Sequence, residues 1–244
     1  MSALDAYHRA VQELLDGLDQ RREVLERFAA LLADTVAEGG LIYVTGSGHG
    51  HMVAEEAFYR AGGLAAVHPL LVPGLMLHEG AVRSSALERL PGIAHAVVAD
   101  AGIGARDLLV VASNSGRNAY PVEAARSGRA RGATVVALTS LAHVTQVSSR
   151  DPSGAKLPDV ADLVVDTGVP YGDAAVPVGT EGLRVGPLST IACVFALNAA
   201  IARATERLLE RGAAPDVFAS ANTEGAEPLS PERLAYWRGR VRTL

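Results

Sequence analysis

At 244 residues the chain is long enough to bury one sizeable α/β core with extensions. A composition of 49% hydrophobic and 20% charged residues excludes disorder over most of its length, and a net charge of -5 without a basic run excludes a nucleic-acid surface. The single cysteine, Cys193, excludes a disulfide framework and, set in an apolar stretch, reads as a buried structural thiol rather than a nucleophile.

The N-terminus is acidic and amphipathic, and no apolar run approaches the ~20 residues a membrane span needs, so a cytoplasmic protein without a membrane partner is expected. Ser2-Ala-Leu-Asp5 reads as a capping box. Apolar residues from Leu14 to Val36 then recur at helical spacing, giving one long helix or two in line that end at Gly39-Gly40. Five strands are expected at Leu41–Thr45, Ala65–Leu71, Leu108–Ala112, Thr134–Thr139 and Leu163–Asp166. Their apolar runs are continuous rather than alternating, as in a parallel sheet buried on both faces. Helical patterns at His51–Ala61, Ser84–Leu90 and Ala119–Gly132 separate several of them. Right-handed crossovers then yield an α/β fold, a doubly wound, flavodoxin-like three-layer αβα sandwich with five parallel strands in that order. A long amphipathic helix is expected over Pro187–Arg211. Ser140–Pro158 and Thr167–Gly186 lack a regular pattern, and the polar tail ends in an amphipathic piece, Pro231–Leu244. The resulting division is a helical extension over 1–38, the α/β domain over 39–212 and a tail over 213–244.

Two strand–loop units carry the chemistry. LIYVTGSGHG (Leu41–Gly50) and DLLVVASNSGRN (Asp107–Asn118) each break from a β-branched run into small, hydroxyl- and glycine-rich residues ahead of a helix. Backbone N–H groups, serine hydroxyls and a helix N-terminus suit an anion, and two such loops in one domain point to a phosphorylated small molecule between them. The first loop is not a dinucleotide fingerprint, because Met52 and Val53 stand where a third glycine belongs, and it lacks the Lys-Ser/Thr ending of a nucleotide P-loop. No cofactor is therefore expected. His51 and Glu55 have metal-ligand spacing, but two ligands do not make a site, and no metal is expected.

Gly46–Gly50 and Ser113–Asn118 resemble the loops of the sugar isomerase (SIS) domain family, G-x-G-x-S after the first strand and S-x-S-G-x-(S/T/N) after a later one. The likeness runs from about Gly40 to Arg211. His49–Gly63, Leu77–Ala81 and Ser149–Leu157 bring it closest to small stand-alone bacterial members related to phosphoheptose isomerases and N-acetylmuramic acid 6-phosphate etherases. Members bind phosphosugars and isomerise them or eliminate groups from them. The resemblance implies that Ser113, Ser115 and Asn118 hold the phosphate, with Ser47, Gly48, His49, Asn114 and Arg60 as further substrate contacts. Three departures stand out. Gly50 replaces the family's first-loop serine, and Arg60 occupies the position of the glutamate base; the closing helix also lacks the heptose isomerases' histidine. Glu56, one turn before Arg60, and Glu79 with His78, in a segment similar to the etherases' E-G-A, become the expected acid–base set, with His49, His51 and His143 as outer candidates.

The expected reaction abstracts the C2 proton of an aldose 6-phosphate and eliminates water from an N-acetylhexosamine 6-phosphate. Aldose–ketose isomerisation and a non-catalytic phosphosugar sensor are the alternatives; the sequence carries no helix-turn-helix that would serve a regulator as output. Ala3–Glu38 and the closing helix offer more apolar surface than one domain needs, so a homodimer or homotetramer is expected.

Overall fold

Buried residues alternate along each strand between two apolar clusters, and this alternation defines the two faces of the sheet. The computed structural model describes residues 2–180 and 182–244. Two helices, α1 (Ala3–Gln20) and α2 (Arg22–Ala37), lead into β1 (Ile42–Gly46), α3 (His51–Ala57), β2 (Val67–Leu70), α4 (Ala81–Leu87) and α5 (Ile93–Ala101). Then follow β3 (Leu108–Ala112), α6 (Ala119–Ala130), β4 (Thr134–Thr139), the one-turn helices α7 (Leu141–Val144) and α8 (Leu157–Val160), and β5 (Leu163–Asp166). A hairpin of β6 (Ala174–Val178) and β7 (Leu183–Pro187), the long helix α9 (Ser189–Glu210) and α10 (Pro231–Arg238) complete the order.

Ile42, Val44, Val110 and Val136 face α2, α3 and α9, whereas Tyr43, Leu109, Val111 and Val135 face α5, α6 and Trp237 of α10. Burial on both faces is what the unbroken apolar runs require. The four pairings within the five-stranded sheet are parallel, in the spatial order β2-β1-β3-β4-β5. Chain order is thus broken once, because β1 lies between β2 and β3. The chain runs outward from β1 in one direction and returns to β3 on the other side, so the connections diverge between β1 and β3, where such sheets open a crevice at the strands' carboxyl ends.

The capping box at Ser2 is present, its Oγ accepting from Asp5 N at 3.2 Å. The N-terminal run is two helices, broken at Arg21, whose Nη1 donates to Gly17 O at 2.7 Å. α2 belongs to the main core, while Leu14 and Leu18 of α1 form a smaller cluster with Val169, Leu188 and Ala192.

Several elements depart from the sequence pattern. α3 stops at Ala57 rather than Ala61, since Phe58 is extended and Tyr59 adopts a left-handed φ of 44°. α5 is an element that periodicity misses. It is short and alanine-rich, and it is started from afar by the Glu123 carboxylate of α6, which accepts from Gly92 N and Ala94 N at 2.9 and 3.1 Å. The closing helix begins at Ser189 rather than Pro187, because Gly186 and Pro187 finish β7 in a segment that reads as patternless. Asp173 sets that start, accepting from Leu188 N at 2.9 Å and Ser189 N at 2.8 Å. The tail docks through buried Trp237, whose Nε1 donates to Asp216 at 2.6 Å. Among the described residues no helix is long and apolar enough to cross a membrane.

Candidate functional site

The register of β1 against β3 places the two loops side by side. Gly46 pairs with Ala112, so Ser47 and Ser113 leave the sheet at the same level. The first loop closes as a 3-10 turn over Gly48–Gly50 and enters α3; the second runs directly into α6. Tyr120, fully buried with its hydroxyl 2.7 Å from Thr45 Oγ1, pins α6 to β1. Burial pushes its phenol up to about 12, so it is a neutral strut.

Between the loops lies a cleft of about 360 Å3. Ser47, Gly48, His49, Ser113, Asn114, Ser115 and Asn118, seven of the expected contacts, line it together. Leu77, Ser85 and Glu88 border it on one side, His143 and Asp173 on another, and Ser189, Thr190 and Cys193 of α9 complete the wall. The remaining expected residues are placed differently. Glu56 of α3 pairs with Arg60, which lies beyond the end of that helix, and accepts from Asn198 Nδ2 at 3.2 Å, apart from the cleft lining. His78 and Glu79 are exposed on the turn after Leu77, with Glu79 3.9 Å from Arg83. His51 is buried; its Nε2 lies 3.9 Å from Glu55 and its ring centroid 5.9 Å from that of His78.

With Ser85, Asp173, Ser189 and Thr190, Glu88 is one of the cleft residues that sequence reasoning missed. Its carboxylate accepts from Ser47 Oγ at 2.7 Å and from Asn118 Nδ2 at 2.8 Å, bridging the two loops. Its backbone carbonyl accepts from Tyr120 N at 3.0 Å. Asn118 Oδ1 in turn accepts from Arg150 Nη1 at 3.2 Å. Asn118 therefore occupies the N-cap position of α6 with extended backbone but makes no side-chain cap; in that first turn the Tyr120 N–H is taken by the Glu88 carbonyl and Pro121 has no N–H to offer. No local signal marks Glu88, which falls within a plain helical pattern; only the packing of α4 brings it here.

Two buried polar atoms of the cleft, Asn114 Oδ1 and His143 Nδ1, have no hydrogen-bond partner among the described residues. Orphans of this kind are costly unless something supplies their partners. Burial, aided by Arg117, holds the His143 imidazole below its ordinary pKa against the opposing pull of Asp173. Cys193 is fully buried with its thiol pushed up to about 12, matching the structural reading rather than that of a nucleophile. Among the described residues no group of three or more histidine, cysteine, aspartate or glutamate side chains is arranged to hold a metal ion.

Residues 6–140 match the family described as SIS domain, more than half of the chain. The chain belongs to the SIS-domain family. A UPF0309 protein of Geobacillus sp. strain WCH70 is 38% identical over 99% of this chain and 98% of its own length. One from Brucella canis is 40% identical over 97% and 96%. Among solved structures, phosphoheptose isomerase GmhA from Neisseria gonorrhoeae superposes with a TM-score of 0.56 at 18% identity, covering 83% of this chain and 97% of that one. The Vibrio vulnificus NanR protein complexed with ManNAc-6P gives 0.52 at 16%, covering 86% and 65%. At these identities the structures share the SIS fold.

The geometry explains why Gly50 departs from the SIS pattern. A Cβ there would approach the Ala112 carbonyl oxygen closer than 3.0 Å, and one at Gly46 would lie 2.7 Å from the same atom. The first loop presses against the end of β3, and only glycine fits. Restoring the serine, Gly50→Ser, should destabilise the protein by about 1–3 kcal/mol or more through overpacking. Thermal unfolding checks this, and an unchanged melting temperature would contradict it.

Proposed function

We propose that the protein binds a sugar phosphate in this cleft and moves its C2 proton. The observation that carries the reading is the convergence of both loops at the sheet's crevice. Hydroxyl and amide groups of Ser113, Ser115, Asn118 and Ser47 suit a phosphoryl dianion. His143, neutral and unpartnered, suits a proton acceptor beside it.

In an open-chain aldose phosphate, removal of the C2 proton is eased because the C1 carbonyl takes up the charge as an enediolate. With an acetamido group at C2 the electron pair departs through C3. The C2–H and C3–O bonds break, a C2=C3 double bond conjugated with the carbonyl forms, and water leaves. Elimination from an N-acetylhexosamine 6-phosphate is the leading reading. Aldose–ketose isomerisation is the second, favoured by the same His143 nitrogen, which can return its proton to C1. His78 and Glu79 stand at the rim beside Leu77, so closure of that turn would bring an acid to the leaving oxygen. Glu56 would reach the sugar only through rearrangement or a second copy. A homodimer or homotetramer is part of this proposal, since α9 leaves Phe195 and Leu209 exposed.

Incubation with a panel of sugar 6-phosphates in heavy water tests the reading. An ultraviolet-absorbing enal marks elimination, and a ketose or deuterium at C2 marks isomerisation. Binding without exchange would make the protein a sensor, and no binding would overturn the proposal.

A further inference from the structure

Two of the donors assigned above to a phosphate already hold an anion. Ser47 Oγ and Asn118 Nδ2 both point at the Glu88 carboxylate, at 2.7 and 2.8 Å. The same residue's carbonyl caps the Tyr120 N–H of the first turn of α6, so the carboxylate is held beside the N-terminus of α6, where a negative charge is favoured. Glu88 thus satisfies, from within the chain, the same features that would attract a phosphoryl group.

We propose that Glu88 is the specificity-determining residue of this cleft, an internal carboxylate that competes with the ligand's phosphoryl group for Ser47 and Asn118. The inference rests on the phosphosugar reading. A carboxylate and a phosphate dianion cannot share these two donors. Each donor hydrogen serves one acceptor well, and like charges a few ångströms apart in a half-buried cleft repel strongly. To gain both donors, the ligand must displace the carboxylate. Arg150 Nη1 lies 3.2 Å from Asn118 Oδ1, and Arg89, Arg117 and Glu88 itself are all near enough for their charges to act on Arg150. A carboxylate turned outward would meet this cationic cluster.

The consequence is selectivity by cost. A small anion must overcome Glu88 with its phosphoryl contacts alone, whereas a sugar phosphate adds the contacts of its sugar. A sugar without phosphate gains nothing from Glu88 leaving.

Calorimetric titration of the wild type, Glu88→Gln and Glu88→Ala with N-acetylglucosamine 6-phosphate, inorganic phosphate and N-acetylglucosamine tests this. Both variants should bind the two phosphorylated probes at least tenfold more tightly than the wild type, with no gain for N-acetylglucosamine. A residue that merely ordered the loops would behave oppositely, its loss weakening every phosphorylated ligand. Equal or weaker phosphate binding by the variants, with the wild type binding N-acetylglucosamine 6-phosphate, would overturn the role of Glu88 and leave the phosphosugar reading standing. Failure of all three proteins to bind either phosphorylated probe would overturn both. A crystal structure of the wild type with N-acetylglucosamine 6-phosphate needs no variant to fold. Glu88 should have left Ser47 and Asn118, and a bound phosphoryl group with both bonds intact would overturn the inference.

Discussion

Replacing Ser113 and Ser115 together by alanine will raise KM for the sugar phosphate about a hundredfold while kcat changes little. Ser113 leaves β3 at the crevice and Ser115 follows at the turn, so both hydroxyls face the same cleft. A hydrogen bond to a charged group contributes about 1.5–3 kcal/mol. Losing two costs about 3 kcal/mol at least, or roughly two orders of magnitude in affinity. The phosphate is remote from the bond being broken, so its contacts hold ground state and transition state alike, and their loss appears in KM. The fold should survive. The Ser113 N–H donates to Leu138 O at 3.0 Å, and alanine keeps that bond. Its Oγ also accepts from Gly116 N at 3.2 Å, so part of any loss at Ser113 is local, and Ser115→Ala alone is the cleaner comparison. Direct titration with N-acetylglucosamine 6-phosphate measures the effect, and unchanged affinity in the double variant would place the phosphate elsewhere.

His143→Gln should lower kcat by about two orders of magnitude or more with substrate still bound, the range expected when a positioned general base is lost. Burial depresses the imidazole's pKa, so the neutral, proton-accepting form prevails at pH 7 and is lost only as pH falls below the ordinary histidine range. Activity should therefore hold down to a pH below about 6.5 and decline beneath it. In His143→Gln that acidic decline should vanish along with most of the rate. A structural loss would lower the rate without reshaping the profile, so the pH dependence separates the two. Near wild-type turnover in this variant, with loss instead in Glu56→Gln or Glu79→Gln, would move the proton transfer to those carboxylates.

The residues that line the cleft were legible to different degrees, for physical reasons. Ser47, Ser113 and Asn118 stand immediately after apolar runs, and a chain leaving a buried parallel strand must emerge at its carboxyl end. Their position follows from local pattern once the strands are identified. Glu88 has no such marker. It lies 41 residues from Ser47 and 30 from Asn118 in the chain, and its reach depends on how α4 packs. Asp173 and His143 sit in or beside segments without periodicity, where sequence pattern carries no geometry. Glu56 and Arg60 illustrate the converse. Their i, i+4 spacing was legible and the two do pair, but α3 ends at Ala57, so Arg60 lies beyond the helix rather than on its face, and Glu56 meets Asn198 of α9 rather than the cleft.

Hydrophobic pattern by itself determined the five strands, their parallel sense and the places where loops leave them, because two-sided burial writes itself as continuous apolar runs. The Ser2-to-Asp5 spacing likewise determined the capping box. Only the tertiary structure decided that β1 lies between β2 and β3, that Glu123 starts α5, that Asp173 starts α9 and that Glu88 bridges the loops. Each of these depends on a side chain meeting a group far away in the chain, and such meetings are settled by how helices stack on the sheet rather than by any spacing along the sequence.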